Sequence, residues 1–331
     1  MMRITTLGTY PKISKDQGPS VRTAIQRFER QNINAAALDQ VYRDVTRRVL
    51  TIAAENRLDL TTDGLIRWND MFDAVVRDIE NVASAGLLRF LDNNFYYRHP
   101  LIRGRLSYQG GVLRWWLAEA QRLSSVPLKA VLPGPLTFLK LSEDDSYQDR
   151  GRLLADLVEV LRLEAQSLRD IGVAEIQWDE PALAYYPGWD VQEVKEVLGA
   201  LIAGAETPQA VALYWGPNVH SWINPMSQIG FDRIYCDAVS DPEVVPYLQG
   251  NTVPSEVGLG LIDARQVSRE PVSSTARVVE RVLAVQGDHK VWLHPNGGLE
   301  LLPPDRAEEK LRVLAEIRDA IHGRTEGGFT S

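Results

Sequence analysis

A (β/α)8 barrel is the fold class this sequence predicts, and three observations predict it. Short apolar runs of strand length alternate with amphipathic helical stretches along the 331 residues. Those runs stop in polar residues, glycine or proline. They number eight, starting at Arg3, Leu58, Leu128, Ala174, Ala210, Arg233, Val257 and Val291. Eight strands with intervening helices need about 250 residues plus insertions, and right-handed crossovers put all the strand ends on one face. No Gly/Ser- or Pro-rich linker divides the chain, so 1–331 reads as a single domain.

Taken in order, Arg3–Leu7 is β-rich and breaks at Gly8, leaving Thr9, Tyr10, Pro11 and Lys12 as a loop. A polar stretch from Ser14 to Ser20 leads to a helix over Val21–Gln31. The apolar spacing of Val41, Val45, Val49 and Ile52 then predicts a helix over Ala36–Asn56. A strand over Leu58–Thr62 and a helix over Asn69–Asn81 follow. Between about 87 and 110 an aromatic and arginine-rich excursion interrupts the alternation. Leu87–Leu91 and Phe95–Arg98 flank Asp92-Asn93-Asn94, the pattern of a hairpin or irregular rim that packs its aromatics on itself. From there the alternation is regular. Strands over Leu128–Leu132, Ala174–Trp178, Ala210–Tyr214, Arg233–Cys236, Val257–Ile262 and Val291–Leu293 are joined by helices that include Arg152–Asp170 and Val191–Ala203. A helix over Pro304–His322 closes the series.

Composition narrows the function. The chain is 44% hydrophobic and has no 18-residue apolar run, which argues against a membrane span. Its N-terminus lacks a charged head before an apolar block, so no signal peptide is expected and a cytoplasmic location is. A net charge of −8 argues against a nucleic-acid partner. The single cysteine, Cys236, rules out an internal disulfide and a thiolate cage, and it falls within an apolar strand as a buried inert thiol.

The strand ends carry the candidate chemistry. Asp179 and Glu180 follow the fourth strand and are stopped by Pro181. Thr9 and Lys12 follow the first strand; Asn69 and Asp70 open the next helix; Trp215 follows the fifth strand. Asp237 follows the sixth strand, Asp263 and Arg265 the seventh, and His294 and Asn296 the eighth. Asp and Asn are also ordinary turn residues, and His294 reads equally as a histidine bonded to a loop carbonyl. So many polar strand ends nevertheless point to a concave pocket for a small molecule. Asp179, Asp237 and His294 are the catalytic candidates, and the other nine are substrate-binding candidates. No H-x-x-x-H spacing, phosphate loop, dinucleotide fingerprint or Ser-His-Asp pattern is present.

Six ordered segments carry a family resemblance: Thr6–Pro11, Trp68–Met71, Leu132–Thr137, Gln177–Leu183, Gly258–Asp263 and Trp292–Leu299. Together they resemble the cobalamin-independent methionine synthase (MetE) family over nearly the whole chain. The resemblance implies a MetE-like barrel of the wider superfamily that includes tetrapyrrole decarboxylases. It also implies methyl transfer from a folate or corrinoid carrier to a homocysteine-like thiol. In that family Asp179 would bind the substrate amino group, together with a glutamate whose position is Leu65 here, and a family histidine appears as Arg265. The family's zinc ligands, His-x-Cys, Glu and Cys, fall on Leu213, Trp215, Asp237 and Gly297, so no cofactor is expected and the zinc site is expected to be lost. The helix over Arg22–Gln31, the segment Leu91–Tyr97 and Ile262–Arg265 resemble the zinc-free N-terminal module of the long family members. An alternative role is therefore implied: a non-catalytic companion that binds folate or docks a separate zinc-bearing chain. A methyl-corrinoid protein is the other partner the resemblance implies.

Overall fold

Local signals set several of the helix starts. The computed structural model describes residues 2–13, 20–91 and 95–327. In chain order it contains β1 (Arg3–Ile4), α1 (Val21–Glu29), α2 (Ala35–Glu55), α3 (Asp73–Arg77), β2 (Ile79–Arg89), β3 (Tyr96–Tyr108), α4 (Val112–Leu123), β4 (Lys129–Pro133), α5 (Pro135–Lys140), β5 (Glu143–Asp144) and α6 (Arg150–Arg169). There follow β6 (Glu175–Asp179), α7 (Pro181–Tyr185), α8 (Val191–Ile202), β7 (Gln209–Leu213), α9 (Val219–Ile229), β8 (Arg233–Asp237), α10 (Val244–Gly250), β9 (Glu256–Ile262), α11 (Val272–Gln286), β10 (Val291–Pro295) and α12 (Pro304–Gly327). Asn34, Asp149 and Asp190 cap α2, α6 and α8 by accepting from backbone N–H groups of the first turn. Pro135 and Pro181 sit at the first helical positions of α5 and α7, where the missing N–H costs nothing.

The chain forms two compact units, one of Met1–Arg67, Ala120–Leu128 and Asp237–Ser331, the other of Trp68–Glu119 and Lys129–Cys236. In the first, β1 pairs in parallel with β10, and β10 with β9. The expected strand over Leu58–Thr62 is reduced to two parallel bridges, Thr5 to Leu60 and Thr61 to Leu128. Threonine hydroxyls bond there in place of a regular ladder, with Thr62 Oγ1 donating to the Gly8 carbonyl at 2.6 Å and Thr6 Oγ1 bonding Thr61 Oγ1 at 3.2 Å. In the second unit β4, β6, β7 and β8 pair in parallel. Every residue of these four strands is buried, as expected of a parallel sheet covered on both faces.

Two sequence expectations are corrected in the second unit. The helix expected over Asn69–Asn81 is only α3, followed by the buried Asp78, which accepts from the N–H groups of Val112 and Leu113 at the start of α4. The excursion is larger than expected and is regular: β2 and β3 form an antiparallel arm over 79–108 that pairs Leu88 with Tyr97 and Arg89 with Tyr96. The polar stretch 14–19 and the Asp92-Asn93-Asn94 break lie outside the described residues. No described helix is long and apolar enough to cross a membrane.

Candidate functional site

Strand pairing in the second unit gathers two polar groups, one at each end of its parallel strands. At the strand starts, Lys129↔Glu175 and Ala210↔Arg233 are in register. Arg233 Nη1 donates to Glu175 Oε2, and the Tyr235 hydroxyl donates to Glu175 Oε1 at 2.9 Å. Lys129 is fully buried, with Nζ 3.9 Å from Glu175 Oε1 and 4.0 Å from the centroid of the Tyr235 ring, and without a hydrogen-bond acceptor. Burial pushes its ammonium well below the ordinary lysine range, and neighbouring Arg233 pushes it further.

At the strand ends, Asp179 is the last residue of β6, one position further along the strand than the sequence pattern indicates. Gln177, two residues back on the same face, donates Nε2 to Asp179 Oδ1 at 2.7 Å. The Tyr214 hydroxyl, just past β7, donates to Oδ2 at 2.9 Å. Glu180 is held differently. Its carboxylate accepts from Leu136 N at 3.0 Å, Thr137 N at 2.7 Å and Thr137 Oγ1 at 2.6 Å, so it closes the first turn of α5. Burial outweighs those donors and raises its pKa to about 7. Gly134 has to be glycine because a Cβ there would overlap the Glu180 carboxyl group.

Asp70 is likewise occupied by backbone, accepting from Phe72 N, Asp73 N and Arg98 N at 2.9–3.0 Å, which ties the arm to the start of α3. Asn69 is exposed and donates to Asp73. Trp215 adopts a left-handed backbone, φ 61°, uncommon for so bulky a residue. The arm packs its aromatics on itself, Phe90 against Phe95 and Tyr97, and also on Trp215. Ring centroids lie 5.5 Å from Trp215 to Phe90, 6.3 Å to Phe95 and 5.4 Å to Tyr214, all near edge-to-face.

The first unit holds the remaining candidates. Asp237 Oδ1 accepts from Val239 N at 2.9 Å, Ser240 N at 2.8 Å and Asn296 Nδ2 at 3.1 Å. Asn296 is fully buried, and its Oδ1 accepts from Ala264 N at 2.8 Å, so it braces the turns after β8 and β9. His294 is fully buried beside a β-bulge, with Nδ1 2.7 Å from the Pro295 carbonyl. Since a carbonyl only accepts, Nδ1 carries the proton and Nε2 is the basic nitrogen. The carbonyl bonded by His294 is that of the next residue, the last of β10. Arg265 forms no ion pair with Asp263 or Asp237: it is exposed and donates to Ser240 Oγ at 3.1 Å, while its peptide N–H donates to Asp263. Thr9 Oγ1 donates to Glu300 Oε2. Lys12 lies close enough to Asp63 and Glu300 to lower both carboxyls, which burial raises by more.

Sequence reading missed Tyr214, Gln177 and Glu300. Strand alternation places Gln177 on the Asp179 face and is the one signal that finds it; nothing local marks the other two.

The side chains at the positions that the resemblance assigns to the family's zinc ligands supply few donors for that ion. Leu213 is a buried hydrocarbon and the Trp215 indole is not a ligand. Asp237, whose Oδ1 accepts three hydrogen bonds, is the one possible ligand of the four, and Gly297 has no side chain. Among the described residues no three His, Cys, Asp or Glu side chains gather to hold a metal. Cys236 is buried in β8, with Sγ on the Ile234 carbonyl.

Comparison with known proteins gives a concordant picture. The family model described as cobalamin-independent synthase, catalytic domain, matches residues 2–319. A methionine synthase of Sulfolobus acidocaldarius is 26% identical over 309 residues, 93% of this chain and 88% of the relative. A B12-independent methionine synthase from Shewanella sp. W3-18-1, solved with selenomethionine, superposes with a TM-score of 0.80 over 99% of both chains at 20% identity. A putative B12-independent methionine synthase from Listeria monocytogenes does so with a TM-score of 0.73 at 16% identity, over 97% of this chain and 99% of its own. The fold class is α/β, of the (β/α)8-barrel type that the sequence pattern predicts.

Proposed function

Because the chain belongs to the cobalamin-independent synthase family, we propose that it methylates a homocysteine-type thiol, with Asp179 receiving the substrate's ammonium group. The observation that carries this reading is the state of Asp179. It is a strand-end carboxylate only 8% exposed, hydrogen-bonded by the neutral side chains of Gln177 and Tyr214, and the buried Lys129 within its electrostatic reach has its ammonium pushed well below the ordinary lysine range. A carboxylate prepared in this way recognises a cation through charge-assisted hydrogen bonds. In the reaction a carbon–sulfur bond forms as the carrier–methyl bond breaks. The electron pair stays with the carrier, a folate or a corrinoid, and the thiol proton leaves. A free thiol with pKa about 8.5 is only a few per cent ionised at neutral pH. In the family zinc supplies that ionisation. The side chains at those positions here supply few donors for the ion, so no step is assigned to it.

The expected result is that Asp179→Asn weakens homocysteine binding by about tenfold or more in isothermal titration while shifting the unfolding midpoint little. Equal affinity in wild type and D179N would remove Asp179 from the site. Stoichiometric zinc in the purified protein would overturn the metal-free reading. Leu213 and Trp215 in place of ligands also favour a second role, a companion that binds folate or docks a zinc-bearing chain. Co-elution with such a chain, together with absent activity alone, would select it.

A further inference from the structure

Among the buried carboxylates of the second unit, Asp70, before α3, and Glu180, after β6, are bound chiefly by backbone N–H groups, which any sequence supplies once the fold forms. The side chains of Gln177 and Tyr214 donate to Asp179, so its geometry depends on residue identity. Gln177 belongs to the same strand as Asp179 and moves with it. Tyr214 belongs to the next strand, and its hydroxyl fixes Oδ2 from outside. The Tyr214 ring is itself fixed: it meets Trp215 edge-on at 5.4 Å, and Trp215 meets Phe90 and Phe95, which flank the tip of the arm. Gly216 lets this corner form, since a Cβ there would fall on the Ala184 carbonyl group.

We propose that Tyr214 is a positioning residue: it holds Asp179 in one orientation toward a substrate ammonium group, and the arm sets Tyr214 through Trp215. The inference rests on the reading of Asp179 given above, and its test separates the two. Homocysteine and its des-amino analogue 4-mercaptobutanoate are titrated into wild type, D179N, Y214F, W215A and the Y214F/W215A double variant. Tyr214→Phe keeps the ring and its aromatic contacts, so folding is preserved while the hydroxyl is lost.

Wild type is expected to prefer the amino-bearing thiol, and D179N to lose that preference. Y214F is expected to weaken homocysteine roughly tenfold, the effect of one hydrogen bond to a charged group, and to leave 4-mercaptobutanoate within about twofold. W215A is expected to weaken homocysteine in wild type but to add little on top of Y214F, because the two act through one hydroxyl. A Y214F variant that binds both thiols as wild type does, or loses both equally, refutes the positioning role. If D179N abolishes the preference and Y214F retains it, Tyr214 alone is wrongly assigned. If D179N retains the preference, the Asp179 reading and this inference fall together. Additive losses in the double variant refute the link to the arm.

Discussion

The strand β6 carries a carboxylate at each end, Glu175 and Asp179, on one face of one strand, and the two are held in opposite ways. Glu175 is enclosed by opposite charge: Arg233 bonds it, Lys129 stands 3.9 Å away, and the Tyr235 hydroxyl takes its other oxygen. That group is neutralised from within, which suits the strand starts of a barrel-type fold, the stability end. Asp179 takes hydrogen bonds from two neutral side chains, which orient its carboxylate, and it shares with Glu175 the influence of the buried Lys129, whose ammonium it favours. Same residue class, same strand and similar burial thus give a structural ion cluster at one end and, under the proposed function, a receptor for a cation at the other. The identity of the donors, rather than the depth of burial, separates them.

Three changes sharpen or break that contrast. The largest effect is expected at the closed end, where Glu175→Ala leaves Arg233 buried without its counter-ion. A loss of about 3 to 5 kcal/mol is expected in urea unfolding, and a loss below about 1 kcal/mol would mean that the cluster does not hold the strand starts together.

Next is Glu180, at the open end. Its folded pKa of about 7 lies above the ordinary 4.5, so the folded state binds the proton more tightly than the unfolded chain does. Its contribution is fully present below about pH 4.5 and is lost as pH rises through about 7. Linkage makes that difference worth about 3 kcal/mol. Whatever its absolute stability, E180Q should remove that part of the slope from a pH series of unfolding curves. An unchanged slope would show that its three donors outweigh burial.

The smallest effect, and one of opposite sign, is expected for Lys129→Met. Methionine keeps the volume and removes a cation that has no hydrogen-bond acceptor, while the Glu175–Arg233 pair remains. A gain of about 1 kcal/mol, or no change, is expected. A loss of more than about 2 kcal/mol would show that the strand starts need both cations.

How far the candidate site was legible depends on what each residue bonds to. Asp179, Glu180, Asp237, His294 and Asn296 all fall at the ends of parallel strands, as the alternation of apolar runs and breakers indicates. Their chemistry was hidden because the same Asp or Asn signature serves turns and sites alike. Asp237 and Asp70 accept chiefly from nearby backbone, and Asn296 braces two turns. The arm was visible as an aromatic and arginine-rich interruption. Its length was not, since β2 is largely exposed and lacks the apolar alternation that marks a half-buried strand.

The sequence by itself determined the order of strands and helices, the positions where strands stop, and the absence of imidazole and thiolate at Leu213, Trp215 and Gly297. These follow from local periodicity, breaker residues and the chemistry of single side chains. Only the tertiary structure decided which carboxylates meet backbone and which meet side chains, that Tyr214 reaches Asp179, and that Arg233 neutralises Glu175 from 58 residues away. Parallel pairing is the physical reason. Each neighbour in such a sheet arrives after a long crossover, so the partners of a strand-end group lie far along the chain, where no local pattern records them.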